Sequence, residues 1–108
     1  MNVEIKGIHL EVTERIRDYI DAKMPRLEFA KDLIVDFLLN LTKEKNLFKA
    51  DVTVNFRWGA SIHVGVQGFD LNRAIDDLFD RLDSKIEKEK SRIQDHHKSK
   101  EPAREEKI

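Results

Sequence analysis

The sequence predicts an α+β fold, a two-layer sandwich of β-α-β-β-β-α order with two helices on one face of a four-stranded mixed sheet. Three observations carry this reading. Apolar and polar residues alternate in four short segments, two further segments show apolar residues at helical spacing, and short connections join the last three strands.

Val3 and Ile5 alternate with polar neighbours as far as Gly7, which places a first strand near residues 2–7. Thr13 is a suitable N-cap, with Glu14 in the favourable first turn of a helix. Ile16, Ile20, Met24 and Leu27 share one face of that helix. Pro25 removes the backbone bond to Asp21, and because the apolar face continues to Leu27 a kink rather than an end is expected. From Leu33 to Thr42 the alternation points Leu33, Val35, Phe37, Leu39 and Leu41 one way and Asp36, Asn40 and Thr42 the other. After the polar stretch 43–46, Val52, Val54 and Phe56 form a third strand. Trp58, Gly59 and Ala60 turn the chain into a fourth, carrying Ile62, Val64 and Val66. The first two strands, joined through a helix, should be parallel with a right-handed crossover.

Asp70 caps a long second helix whose core stripe is Leu71, Ile75, Leu78, Leu82, Ile86 and Ile93, with Ala74 beside it. From Lys98 onward KSKEPAREEKI has no apolar period, so residues 1–97 are read as the domain and 98–108 as a disordered charged tail. His96 and His97 mark the fraying helix end, where positive charge suits the dipole.

Composition narrows the function. With 20 Lys+Arg against 21 Asp+Glu among 108 residues the net charge is −1, which excludes a globally basic nucleic-acid binder but not a locally basic face. The absence of cysteine removes disulfides, thiolate zinc sites and cysteine nucleophiles. No apolar run approaches the roughly 18 residues of a membrane span, and the first residues lack a signal-peptide pattern. A soluble cytoplasmic protein, monomeric when free, is expected. His9, His63, His96 and His97 show no metal-ligand spacing, and no phosphate loop, dinucleotide fingerprint or nucleophile elbow is present. The reading is a non-enzyme without cofactor or metal.

The second helix sorts its charges. Arg81, Lys85, Lys88 and Arg92 form one stripe; Asp76, Asp80, Asp83 and Glu87 form another on the opposite side of the apolar face. On the first helix, Arg15, Lys23 and Arg26 flank one side of the apolar stripe, while Glu14, Asp18, Asp21 and Glu28 flank the other, with Arg17 among the acids. Two roughly parallel helices on one sheet face can merge their basic flanks into a groove for a phosphate backbone. Lys90 lies off the main stripe but near the same end. Such runs are also what solvated faces look like, and Lys23 and Arg26 can equally snorkel over the core edge. Trp58 either stacks on a base or, as is commoner for such a residue, folds back over the sheet edge as a lid.

These residues resemble a known family. The stretch from Glu11 to Lys23 (EVTERIRDYIDAK), followed by Arg26-Leu-Glu, is similar to the first helix of the ribosome hibernation promoting factors, or ribosome-associated inhibitors. The stretch from Ile62 to Leu82 (IHVGVQGFDLNRAIDDLFDRL) resembles their fourth strand and second helix, and the match extends from Met1 to about His97. The resemblance implies a protein that binds the small ribosomal subunit at the decoding region and silences idle ribosomes in stationary phase or stress, without cofactor or turnover. It implies ribosomal-RNA contacts from Lys23, Arg26, Arg81, Lys88, Lys90 and Arg92; Lys85 rests on the stripe spacing alone. The sequence departs from the family pattern at Pro25 and in the acidic Asp83, Glu87, Glu89 and Asp95, and its end at Ile108 looks like the short form. A reading from another class is a protein-interaction regulator of the sigma-factor modulation type, for which the acidic flank would be the contact surface.

Overall fold

The alternating segments form strands β1 (Asn2–Ile8), β2 (Ile34–Glu44), β3 (Leu47–Phe56) and β4 (Ser61–Gly68), hydrogen-bonded in the order β1-β2-β3-β4. β1 runs parallel to β2, and the other two pairings are antiparallel. The computed structural model describes residues 1–98, so the tail expected over 98–108 lies, apart from its first residue, outside the described residues. Register stacks the residues of the helix-covered face into rows, with Val3 exposed at the sheet edge: Val3, Phe37, Val54 and Ile62; Ile5, Leu39, Val52 and Val64; Gly7, Leu41, Ala50 and Val66. Gly7 ends the last row because the chain folds back onto it. A Cβ there would sit 2.0 Å from the Leu10 carbonyl oxygen, so only glycine fits. Gly7→Ala is expected to cost about 1–3 kcal/mol, as overpacking does, and a urea midpoint within error of the parent would contradict this.

Helix α1 (Glu14–Asp21) starts where expected, with Thr13 Oγ1 accepting from Ile16 N–H at 3.3 Å. It does not kink through Pro25. It stops at Asp21, and the chain continues as a 3-10 helix over Met24–Ala30 with Pro25 in its first turn. The reason is physical: proline cannot bond back to the preceding turn, but at the start of a new helix its missing N–H costs nothing. Three residues per turn then bring Leu27 and Ala30 inward together.

The expected alternation in β2 also needs correction at its start. The register shifts between Ile34 and Asp36, leaving Val35 as an extra residue. Ile34 therefore enters the core while Val35 is 46% exposed; Leu33 only packs at the core margin. A bulge inverts the facing of everything before it.

Helix α2 (Leu71–Lys98) is capped as expected, Asp70 Oδ1 accepting from Asn72 N–H at 3.0 Å and from Arg73 N–H at 3.3 Å. Ile75, Leu78, Phe79, Leu82 and Ile86 join Ile20, Leu27 and the inward sheet rows in one cluster, so both helices cover the same sheet face. Phe79, absent from the expected stripe, is fully buried and stacks on Phe37 with ring centroids 6.0 Å apart. The side chain of Ile93 falls outside the described residues. Polar residues cover the opposite face, where Asn55 donates to Asp36 at 3.0 Å and Ser61 to Asn55 at 2.6 Å.

Candidate nucleic-acid interface

Helix α2 presents its two charged flanks to different neighbours. The acidic flank faces α1 and the 3-10 helix. Lys23 Nζ lies 2.7 Å from Asp76, which also accepts from the Tyr19 hydroxyl at 2.7 Å. Arg26 reaches Asp80 at 2.8 Å and Asp83 at 2.6 Å. The basic flanks of the two helices therefore do not merge into one groove, contrary to the expectation from spacing. Between the helices, cations of one meet carboxylates of the other, because opposite charges on facing flanks lower the energy of packing two helices side by side.

The electrostatics follow. Hydrogen bonds from Lys23 and then Tyr19 hold the Asp76 carboxyl below its usual range. Asp76 raises both partners: its hydrogen bond is the largest cause of the upward shift of Lys23 and of Tyr19. For a carboxylate depressed in the fold, stability is present above the unfolded pKa and lost as pH falls through the folded one. Asp76→Asn is thus expected to lower the urea midpoint at about pH 7, and the gap from the parent should close towards about pH 2. A gap unchanged across that range would show that Asp76 is not the group titrating.

The basic flank turns the other way, towards β4. Lys85 Nζ donates to the His63 carbonyl at 3.5 Å, and Arg81 and Lys85 line a depression with His63, Val64, Gly65, Ser84 and the exposed Asp80. Lys88 and Arg92 line the next one along the helix together with Ser84, Ser91 and Glu87 of the acidic flank. Among the described residues, Arg81, Lys85 and Lys88 take part in no ion pair. Arg92 pairs with Glu89 at 2.8 Å, one turn back. The Arg92 guanidinium holds the Glu89 carboxyl below its usual range, assisted by the Trp58 indole, which donates to it at 2.9 Å. Trp58 stacks on Phe56 with centroids 4.9 Å apart, so it folds back as the lid over the sheet end.

Of the seven basic residues singled out by the sequence, four are thus brought together: Arg81, Lys85, Lys88 and Arg92. Lys23 and Arg26 are occupied between the helices. Lys90 lies on the side of the 3-10 helix, its Nζ 3.5 Å from the Phe29 carbonyl and 5.5 Å from the centre of the Phe29 ring. The functional role of the acidic flank as the clamp for Lys23 and Arg26 was missed by sequence reasoning. Two complementary stripes were its only signal.

Comparison with known proteins is consistent with this architecture. The model of the family described as sigma 54 modulation protein / S30EA ribosomal protein matches residues 3–94. A ribosome hibernation promoting factor of Escherichia coli K12 is 33% identical over 96 residues, covering 89% of this chain and all of that one. One from Azotobacter vinelandii is 34% identical over 103 residues, 95% of each chain. The crystal structure of the N-terminal domain of Thermus thermophilus Protein Y superposes with a TM-score of 0.72 at 30% identity, covering 82% of this chain and 98% of that one. A ribosomal subunit interface protein from Coxiella burnetii shares the fold at a TM-score of 0.78 and 20% identity, over 84% of this chain and 99% of that one.

Proposed function

Because this chain belongs to the sigma 54 modulation protein / S30EA ribosomal protein family, we propose that it is a ribosome hibernation factor. It works in the cytoplasm by occupying the small ribosomal subunit near the decoding region, where messenger and transfer RNA would otherwise pass, in stationary phase or stress. It acts by binding rather than by catalysis and needs no cofactor.

The observation that carries this reading is the row Arg81, Lys85, Lys88 and Arg92 on a fully formed helix, three of them free of ion pairs among the described residues. Cations at helical spacing on a rigid element meet a phosphate backbone at little cost in ordering, and each contact releases condensed counterion. Lys23 and Arg26 serve the same surface indirectly, by fixing α2 against α1 and the 3-10 helix through Asp76, Asp80 and Asp83. Lys90 lies off this row, its Nζ 3.5 Å from the Phe29 carbonyl at the end of the 3-10 helix.

The rival reading, a transcription regulator that docks through the acidic flank, is disfavoured by the same pairs. A partner would compete with Lys23 and Arg26 for Asp76, Asp80 and Asp83. Sucrose-gradient fractionation of starved cells tests the two. The chain is expected with the small subunits; recovery with RNA polymerase alone would overturn the hibernation reading.

A further inference from the structure

A second cleft lies at the end of the sheet where α2 begins, away from the basic row. It is an open depression of about 840 Å³, lined by His9, Lys43, Glu44, Lys45, Leu47 and Phe69 among others. The β2–β3 hairpin makes one side of it, continuing past the last β4 residue: Phe48 pairs with Gly68, and Leu47 with Glu44 beyond.

Two features of this cleft, an exposed ring and a set of cations without ion pairs, have no structural explanation. Phe69 is 78% exposed, the most exposed large apolar side chain described. A hydrophobic residue just before a helix cap usually packs back on the first turn of its helix, and Phe69 does not. His9, Lys43 and Lys45 take part in no ion pair among the described residues, whereas the one carboxylate of the lining, Glu44, is held by Lys49 at 2.8 Å. The cleft is therefore cationic. Local turns account for the positive φ of two of its residues: Lys45 (56°) opens the two-residue loop between Glu44 and Leu47, and His9 (57°) lies in the return that brings Leu10 onto Gly7.

We propose that this cleft is a second RNA-contact site that takes one unstacked nucleotide of a single-stranded segment, its base on Phe69 and its flanking phosphates at Lys43, Lys45 and His9. The inference rests on the ribosome-binding reading and extends it. An exposed ring offers a base a flat apolar face, and stacking of this kind is tolerant of sequence because every base has one. Cations on either side hold the backbone. An unpaired strand is required, since the ring is reachable only by a base already out of its helix. The site is separate from the basic row: at ~1.5 Å per residue, Arg81 is about 15 Å and Arg92 about 32 Å along α2 from Leu71.

The test is fluorescence anisotropy of labelled octauridylate with the full chain at low salt. Phe69→Ala is expected to weaken binding about 5- to 100-fold, the value of one base–aromatic stack, and Phe69→Tyr to restore it. Lys43→Gln with Lys45→Gln should flatten the salt dependence by about 1.4 log units, two single-strand phosphate contacts. The proposal is overturned if octauridylate does not bind, or if it binds Phe69→Ala as well as the parent. It is equally overturned if binding depends only on Arg81, Lys85, Lys88 and Arg92, which would leave the ribosome reading intact. An octaglutamate peptide that binds in a Phe69-dependent way where the RNA does not would make the partner an acidic protein and also overturn it. Conversely, Phe69-dependent RNA binding by a chain that fails to sediment with small subunits would support the cleft and sink the ribosome reading.

Discussion

Replacing Phe79 by alanine is expected to cost about 3–5 kcal/mol, the largest loss of stability from any single truncation considered for this fold. Phe79 is fully buried, stacks on Phe37 and sits where α2 meets the sheet, so its removal leaves a cavity between layers that backbone elements on both sides hold open. In a domain of this size a loss near 3 kcal/mol lowers Tm by more than about 10 °C. Phe69→Ala is the matched control: the same atoms removed from an exposed site should change stability by no more than about 0.5 kcal/mol. Equal effects of the two variants in thermal unfolding would contradict the packing described.

The largest effect on binding is expected from converting Arg81, Lys85, Lys88 and Arg92 together to glutamine. Four phosphate contacts, each contributing roughly 0.7–0.9 log units per decade of salt, sum to a slope change of about three. If the electrostatic contribution has vanished near 1 M salt, that slope amounts to about a thousandfold loss of affinity at 0.1 M. The fold should survive, because Arg81, Lys85 and Lys88 make no ion pair among the described residues, and Glu89 keeps the Trp58 indole when Arg92 is gone. A variant that unfolds would show that the row has a structural role.

Much of the fold was legible in the residues themselves. Val52, Val54 and Phe56 against Ile62, Val64 and Val66 alternate cleanly because both strands bury one face only, and the register rows follow from that. Thr13 and Asp70 announce their helices because capping is local chemistry. What was not legible depends on geometry beyond the nearest neighbours. A bulge at Val35 has no compositional signature because Leu33, Ile34 and Val35 are all apolar and either facing fits the pattern, and Phe79 extends the α2 stripe only once the width of the contact with the sheet is known. The two charged flanks of α2 were visible; which of them faces α1 was not, since that depends on the order of helices across the sheet. Spacing places Arg81, Lys85, Lys88 and Arg92 on one flank of a single helix, but it carries no information about contacts such as those of Arg26, whose partners Asp80 and Asp83 lie 54 and 57 residues away along the chain.

The central claim is that RNA is met by the basic flank of α2 and that Asp76, Asp80 and Asp83 of the acidic flank serve to hold Lys23 and Arg26. It is tested most directly by measuring affinity for purified small ribosomal subunits against salt for three proteins: the parent, the four-glutamine variant of the basic row, and a variant with Asp76, Asp80, Asp83 and Glu87 replaced by Asn or Gln. The basic-row variant should bind weakly with a slope flatter by about three units, and the acidic-flank variant should keep the parent slope. Loss of binding by the acidic-flank variant, still folded, with retention by the basic-row variant would contradict the account.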